Sequence, residues 1–141
     1  MREKMKMYKK SIVACALLSV AGAGNCGISE RSWFFMPNET VTYDFTKTRE
    51  YFNMGIEAGC DSFNPTKSSF IITYSGTPEA EKRLYVETND KSNVIHDKNL
   101  KTFYVKDATQ IAVGFPYGGT YSITNVTPTA IKGTQCDAGY Y

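Results

Sequence analysis

From Val41 to Ile131 apolar side chains return at every second position in short runs, with polar or small residues between them. Val41, Tyr43 and Phe45 alternate with Thr42 and Asp44; Phe52, Met54, Ile56 and Ala58 alternate with Asn53, Gly55 and Glu57. Phe70, Ile72 and Tyr74 are interleaved with Ile71 and Thr73, a run apolar on both parities and so expected at the centre of a sheet. Leu84 and Val86 point one way and Tyr85 and Glu87 the other. The pattern repeats three times over 101–131: Phe103 and Val105; Ile111, Val113 and Phe115 against Ala112 and Gly114; Tyr121 and Ile123. Alternate side chains of a strand leave on opposite faces, so a period of two built from β-branched and aromatic residues predicts half-buried antiparallel strands. No stretch has the 3.6-residue period of an amphipathic helix; 79–83 has room for one helical turn.

The punctuation agrees. Pro37-Asn38, Asn64-Pro65, Ser75-Gly76-Thr77-Pro78 and Pro116-Tyr117-Gly118-Gly119 combine a preset φ with residues that tolerate positive φ, and the chain is expected to reverse at each. The polar segment 88–100 reads as a broad loop, and 133–141 as a short tail. About eight strands at this spacing predict one all-β domain, a two-sheet antiparallel sandwich, with a jelly roll favoured over an immunoglobulin-like Greek key.

The first 23 residues stand apart. A cationic start (Arg2, Lys4, Lys6, Lys9, Lys10), an apolar or small run over 12–23 and Ala21-Gly22-Ala23 form the plan of a secretory signal peptide cut after Ala23. The apolar run is shorter than the roughly 17–25 residues needed to cross the hydrocarbon layer, so no membrane insertion is expected once the leader is removed. The domain is then 24–141, and its location secreted or extracytoplasmic. Five of the sixteen basic residues and one of the fourteen acids precede Ser11; without them eleven bases face thirteen acids, a net charge of −2. No basic stripe remains to neutralise phosphates, so a nucleic-acid partner is not expected.

Export favours a disulfide. Cys15 leaves with the leader, and Cys26, Cys60 and Cys136 remain. The first and last strands of a sandwich often lie side by side, which favours Cys26–Cys136, with Cys60 the alternative partner of Cys136; the third thiol is expected to be buried.

Candidate chemistry is sparse. His96 is the only histidine, and no Cys-x-x-Cys or His-x-x-x-His spacing exists, so neither a metal site nor a cofactor is expected. No serine sits in a Gly-x-Ser-x-Gly elbow, and His96 reads as a solvated loop residue. Asp44, Glu57, Glu87 and Asp107 could supply a carboxylate pair flanking a glycosidic bond, but spacing along the chain assigns no such pair, and no catalytic residue is named. Aromatic residues, 13% of the chain, are the feature above background. Tyr51, Tyr85 and Tyr104 fall on the parity opposite to their apolar neighbours, and Trp33 and Tyr117 adjoin chain breaks. Exposed rings give large contact area with few rotors to freeze, so Trp33, Tyr85, Tyr104 and Tyr117 are the candidate ligand-binding residues. Asn38-Glu39-Thr40 and Asn125-Val126-Thr127 match the glycosylation pattern, and Asn38 is the expected acceptor, because Asn125 shares the parity of Tyr121 and Ile123.

The segments 101–105, 109–115 and 119–126 resemble the closing strands of galactose-binding-like jelly rolls, a group that includes many carbohydrate-binding modules. The resemblance covers 101–131, implies a jelly roll and a glycan ligand, and supplies no catalytic residue. The expected function is a secreted, non-enzymatic β-sandwich recognising a glycan or an extracellular protein through exposed aromatics. The alternative is a secreted effector or inhibitor that docks on a host or competitor protein.

Overall fold

A computed structural model describes residues 27–28, 32–46 and 54–140. The leader, Cys26 and Tyr51 lie outside the described residues. The fold is all-β, with every strand pair antiparallel. In chain order the elements are β1 (Gly27–Ile28), β2 (Trp33–Phe35), β3 (Thr40–Asp44), β4 (Gly55–Cys60), β5 (Phe63–Asn64) and β6 (Ser68–Gly76). A short helix α1 (Pro78–Arg83) follows, then β7 (Tyr85–Thr88), a 3₁₀ turn (Lys91–Asn93) and β8 (Val94–Asp97). The chain ends with β9 (Thr102–Ala108), β10 (Ile111–Pro116), β11 (Gly119–Asn125), β12 (Ile131–Gly133) and β13 (Cys136–Tyr140).

The strands form a five-stranded sheet, β3-β11-β6-β9-β8, and two four-stranded sheets, β13-β4-β10-β7 and β1-β2-β12-β5. Where two sheets were expected, the described residues form three. The polar segment 88–100 holds the 3₁₀ turn and β8, and the 133–141 tail contributes β13 as an edge strand. Both were missed because edge strands can keep polar residues on their exposed side, which hides the alternation.

Period-two faces assemble as the pattern requires. Tyr121 lies between Tyr43 and Tyr74, and Ile123 between Val41 and Ile72, so one face of the five-stranded sheet is continuously apolar. Ile56 and Ala58 of β4 and Val113 and Phe115 of β10 face it across the core. Phe115 stacks on Tyr121 with centroids 4.6 Å apart and planes 3° off parallel, and it meets Tyr43 at 6.3 Å. These rings join the two layers. The Pro116-Tyr117-Gly118-Gly119 break reverses the chain as expected, but it is an arch between layers rather than a hairpin, since β10 and β11 belong to different sheets. Gly118 supplies the positive φ, 98°, that the arch needs. The small β1-β2-β12-β5 sheet covers one end of the core, where Trp33 meets Phe35, Phe63 and Phe70 edge-to-face at 5.9–6.2 Å.

Helix α1 is capped by the side chain of Thr77, which accepts from the Ala80 N–H at 3.2 Å, and Pro78 sits where no N–H is required. It buries Ala80 and ties to the turn before β9 through Glu81 and Lys101, 2.8 Å apart.

Cys136 is bonded to Cys60, not to the favoured Cys26. The reason is register. β13 lies beside β4 with Cys136 directly opposite Cys60, both on the core side of their sheet. Gly133 makes room for the bridge: a Cβ there would lie 2.5 and 2.6 Å from the two sulfurs and 3.3 Å from Trp33 Cβ.

Candidate functional site

The outer face of the β13-β4-β10-β7 sheet is shaped by what its central strands lack. Ile111, Val113 and Phe115 point inward, leaving Ala112 and Gly114 on the outside; on β4, Gly59 does the same between Ala58 and Cys60. The register stacks these into two rows. One runs Gly139, Glu57, Gly114, Tyr85; the other runs Asp137, Gly59, Ala112, Glu87. Small residues thus form a floor with larger side chains around it, and a cleft of about 260 Å³ lies among Glu57, Gly59, Tyr85, Ala112, Asp137 and Gly139. A smaller hollow of about 110 Å³ continues past Glu87 to Asp61 and Gln110.

Tyr85 is held over this floor. A Cβ on Gly114 would stand 2.1 Å from the Tyr85 ring, so the ring lies directly on the glycine backbone and is half-buried. Glu57 and Asp137 line the cleft and Asp61 and Glu87 the hollow, with no lysine or arginine among the described residues of either; Glu87 also borders a further cavity of about 390 Å³ that it shares with Lys91 and Val94. Such a surface can accept hydrogen bonds from hydroxyl or ammonium groups while one ring face offers apolar contact.

The four sequence-predicted rings do not come together. Trp33 is fully buried in the aromatic end of the core. Tyr117 is 1% exposed, turned inward from the arch against Phe45 at 5.7 Å, and burial pushes its phenol up to about 12. Neither can stack on a ligand, so the expectation that they are exposed is corrected. A chain break next to an aromatic says that the backbone turns, not which way the ring goes. Tyr104 is 38% exposed, but on the outer face of the five-stranded sheet, on the opposite layer from Tyr85. Of the named carboxylates, Glu57 lines the cleft and Glu87 the hollow beside it. Asp44 instead accepts from the Thr46 N–H at 3.0 Å and its hydroxyl at 2.6 Å, and Asp107 lies on β9. Asp137 and the small-residue floor were missed; the available signal was the run of Ala112 and Gly114 on a single parity.

His96 is not a loop residue. It lies on β8 opposite Phe103, stacked on that ring at 3.9 Å, with Nε2 2.7 Å from the Tyr74 hydroxyl. Desolvation, then the nearby Lys98, lowers its pKa, with Asp97 opposing. Desolvation and then Glu81 raise that of Tyr74. Among the described residues no group of three or more His, Cys, Asp or Glu side chains could hold a metal ion.

The two sequons separate. Asn38 is exposed at the β2–β3 turn with φ 61°, a conformation asparagine tolerates. Asn125 is fully buried, and its side chain is occupied: Nδ2 donates to the Met36 carbonyl at 3.1 Å and the Thr129 carbonyl at 2.9 Å, and Oδ1 accepts from the Thr127 N–H at 2.8 Å.

No helix among the described residues is long and apolar enough to cross a membrane. No protein family matches this chain, and no curated protein or solved structure resembles it significantly.

Proposed function

We propose that this is a secreted, non-enzymatic β-sandwich that binds a glycan on the outer face of the β13-β4-β10-β7 sheet. The observation that carries the reading is the Tyr85 ring laid on Gly114 beside a cleft rimmed by carboxylates. A pyranose presents an apolar C–H face and a belt of hydroxyl donors. Tyr85 offers the first a flat partner, and Glu57 and Asp137 accept from the second. The likeness of 101–131 to carbohydrate-binding jelly rolls, the signal-peptide plan of the first 23 residues and the Cys60–Cys136 disulfide support the same reading.

A glycan array probed with the mature protein tests it. Sugar-specific signal is expected, lost in Tyr85→Ala and weakened in Glu57→Gln, with Tyr104→Ala unaffected. A silent array, or binding indifferent to Tyr85→Ala, would sink the proposal and favour docking on a host or competitor protein.

A further inference from the structure

Two strands of the cleft carry the same short pattern. On its outward parity β4 places Glu57 and Gly59, and β13 places Asp137 and Gly139, so each offers one carboxylate and one glycine two residues apart. The antiparallel register sets Glu57 opposite Gly139 and Asp137 opposite Gly59. The four positions form a square with carboxylates on one diagonal and glycines on the other. Diagonal neighbours on adjacent strands lie roughly 7–8 Å apart, within reach of long side chains. Among the described residues neither carboxylate has an ion-pair partner. Asp137 accepts from the N–H of its neighbour Ala138 at 2.9 Å. A Cβ on Gly139 would meet nothing within 4 Å, so that corner of the square is open.

Like charges across such a diagonal repel, and a cation seated between them removes the repulsion. An ammonium suits the seat, because it brings a positive charge and three N–H donors where a hydroxyl brings one donor and no charge. Tyr85 decides what carries the ammonium. Its ring lies over Gly114, one strand in from Glu57. That is about one and a half strand spacings, roughly 7 Å, from the middle of the diagonal. A lysine side chain or a polyamine can fill the seat but presents no flat apolar face to the ring. An amino sugar holds its amine and its C–H face in one rigid unit and meets both. In the adjoining hollow, Asp61 repeats the negative charge for the next unit of an oligomer.

We infer that the cleft selects glycans with free, protonated amines, of the glucosamine type, seating the ammonium between Glu57 and Asp137 and discriminating against the N-acylated form of the same sugar. Acylation removes the charge, leaves a single N–H and adds bulk at the seat. This selectivity rests on the glycan-binding reading above and names its ligand class.

Isothermal titration calorimetry of the mature protein compares an oligomer of β-linked glucosamine with its N-acetylated counterpart, at slightly acidic pH and low salt. The free-amine oligomer is expected to bind about tenfold more tightly, the combined effect of two exposed charge pairs. Salt at about 0.5 M should shrink that ratio. The double variant Glu57→Gln with Asp137→Asn should bring it near unity, and Tyr85→Ala should abolish binding of both oligomers. Glu57 and Asp137 are exposed, and circular dichroism checks that the variants fold; the wild-type ratio and its salt dependence need no variant. Equal affinity for the two oligomers, lost in Tyr85→Ala, overturns the amine selectivity and leaves the sheet-face reading standing. Binding of neither oligomer removes both. Polylysine that binds as tightly as the glucosamine oligomer, indifferent to Tyr85→Ala, shows bare charge attraction or a lysine-bearing protein partner and also overturns the selectivity.

Discussion

Replacing Asn125 gives the sharpest test of how the fold is closed. This side chain joins three segments: the end of β11, the β2–β3 turn through Met36, and the 126–130 loop through Thr127 and Thr129. Its own backbone adds a bond from its N–H to Glu39 and one from the Asn38 N–H to its carbonyl, at 2.9 and 3.0 Å. Asn125→Ala removes three well-formed side-chain hydrogen bonds at a fully buried site, about 1 kcal/mol each, or about 3 kcal/mol in all, and more where the Met36 and Thr129 carbonyls are left dry. Asn125→Asp keeps the acceptor for Thr127 but turns the other oxygen toward two carbonyls. That site disfavours the charged form, so the folded-state pKa of the new carboxyl is raised above its unfolded value of about 3.9. The native state then holds the proton more tightly, and stability falls as pH rises from about 4. Below that pH the protonated acid can donate to one carbonyl, and the Asp variant should outlast the Ala variant; at neutral pH the order inverts. Urea denaturation of both variants across pH 3–7, analysed at constant m, measures this. An Ala variant costing under about 1 kcal/mol, or Asp and Ala curves that run parallel with pH, would refute the reasoning.

Breaking the Cys60–Cys136 bridge, which spans 76 residues, should cost about 4.5 kcal/mol in the chain-entropy model, read as the shift in denaturation midpoint between oxidised protein and a Cys60→Ser/Cys136→Ser variant. Gly114→Ala drives a methyl into the Tyr85 ring; ligand binding at the cleft should fall at least as far as in Tyr85→Ala, while urea stability drops by about 1–3 kcal/mol. Because desolvation lowers the His96 pKa in the folded state, the unfolded chain binds the proton more readily, and stability should decline as pH falls through about 6.5. Thermal melts of wild type and His96→Gln from pH 5 to 8 isolate that share from the neighbouring Tyr74, Asp97 and Lys98, and the two curves should converge at the acid end. Mass analysis after expression in a eukaryotic secretory host should show glycan on Asn38 and none on Asn125, a pattern that Asn38→Gln alone abolishes.

Local pattern was enough for the class of fold and for most of the core. Strict alternation in 41–45, 103–105 and 121–123 assigns each side chain a face, and the buried faces are the ones the pattern marks, because burying the polar parity would strand hydrogen-bonding groups away from water. The short helix was legible only as room for one turn over 79–83; Thr77 and Pro78, read there as part of a turn, are its cap and its first residue. Pairing was not legible. Whether β10 and β11 form a hairpin or an arch, whether Cys136 meets Cys60 or Cys26, and whether Trp33 and Tyr117 turn in or out depend on contacts between residues far apart along the chain. Period two names two faces but never says which other sheet covers them. The cleft shows the same division: Ala112 and Gly114 were visible as small residues on one parity, but only the register of β13, β4, β10 and β7 sets Glu57, Tyr85 and Asp137 around them.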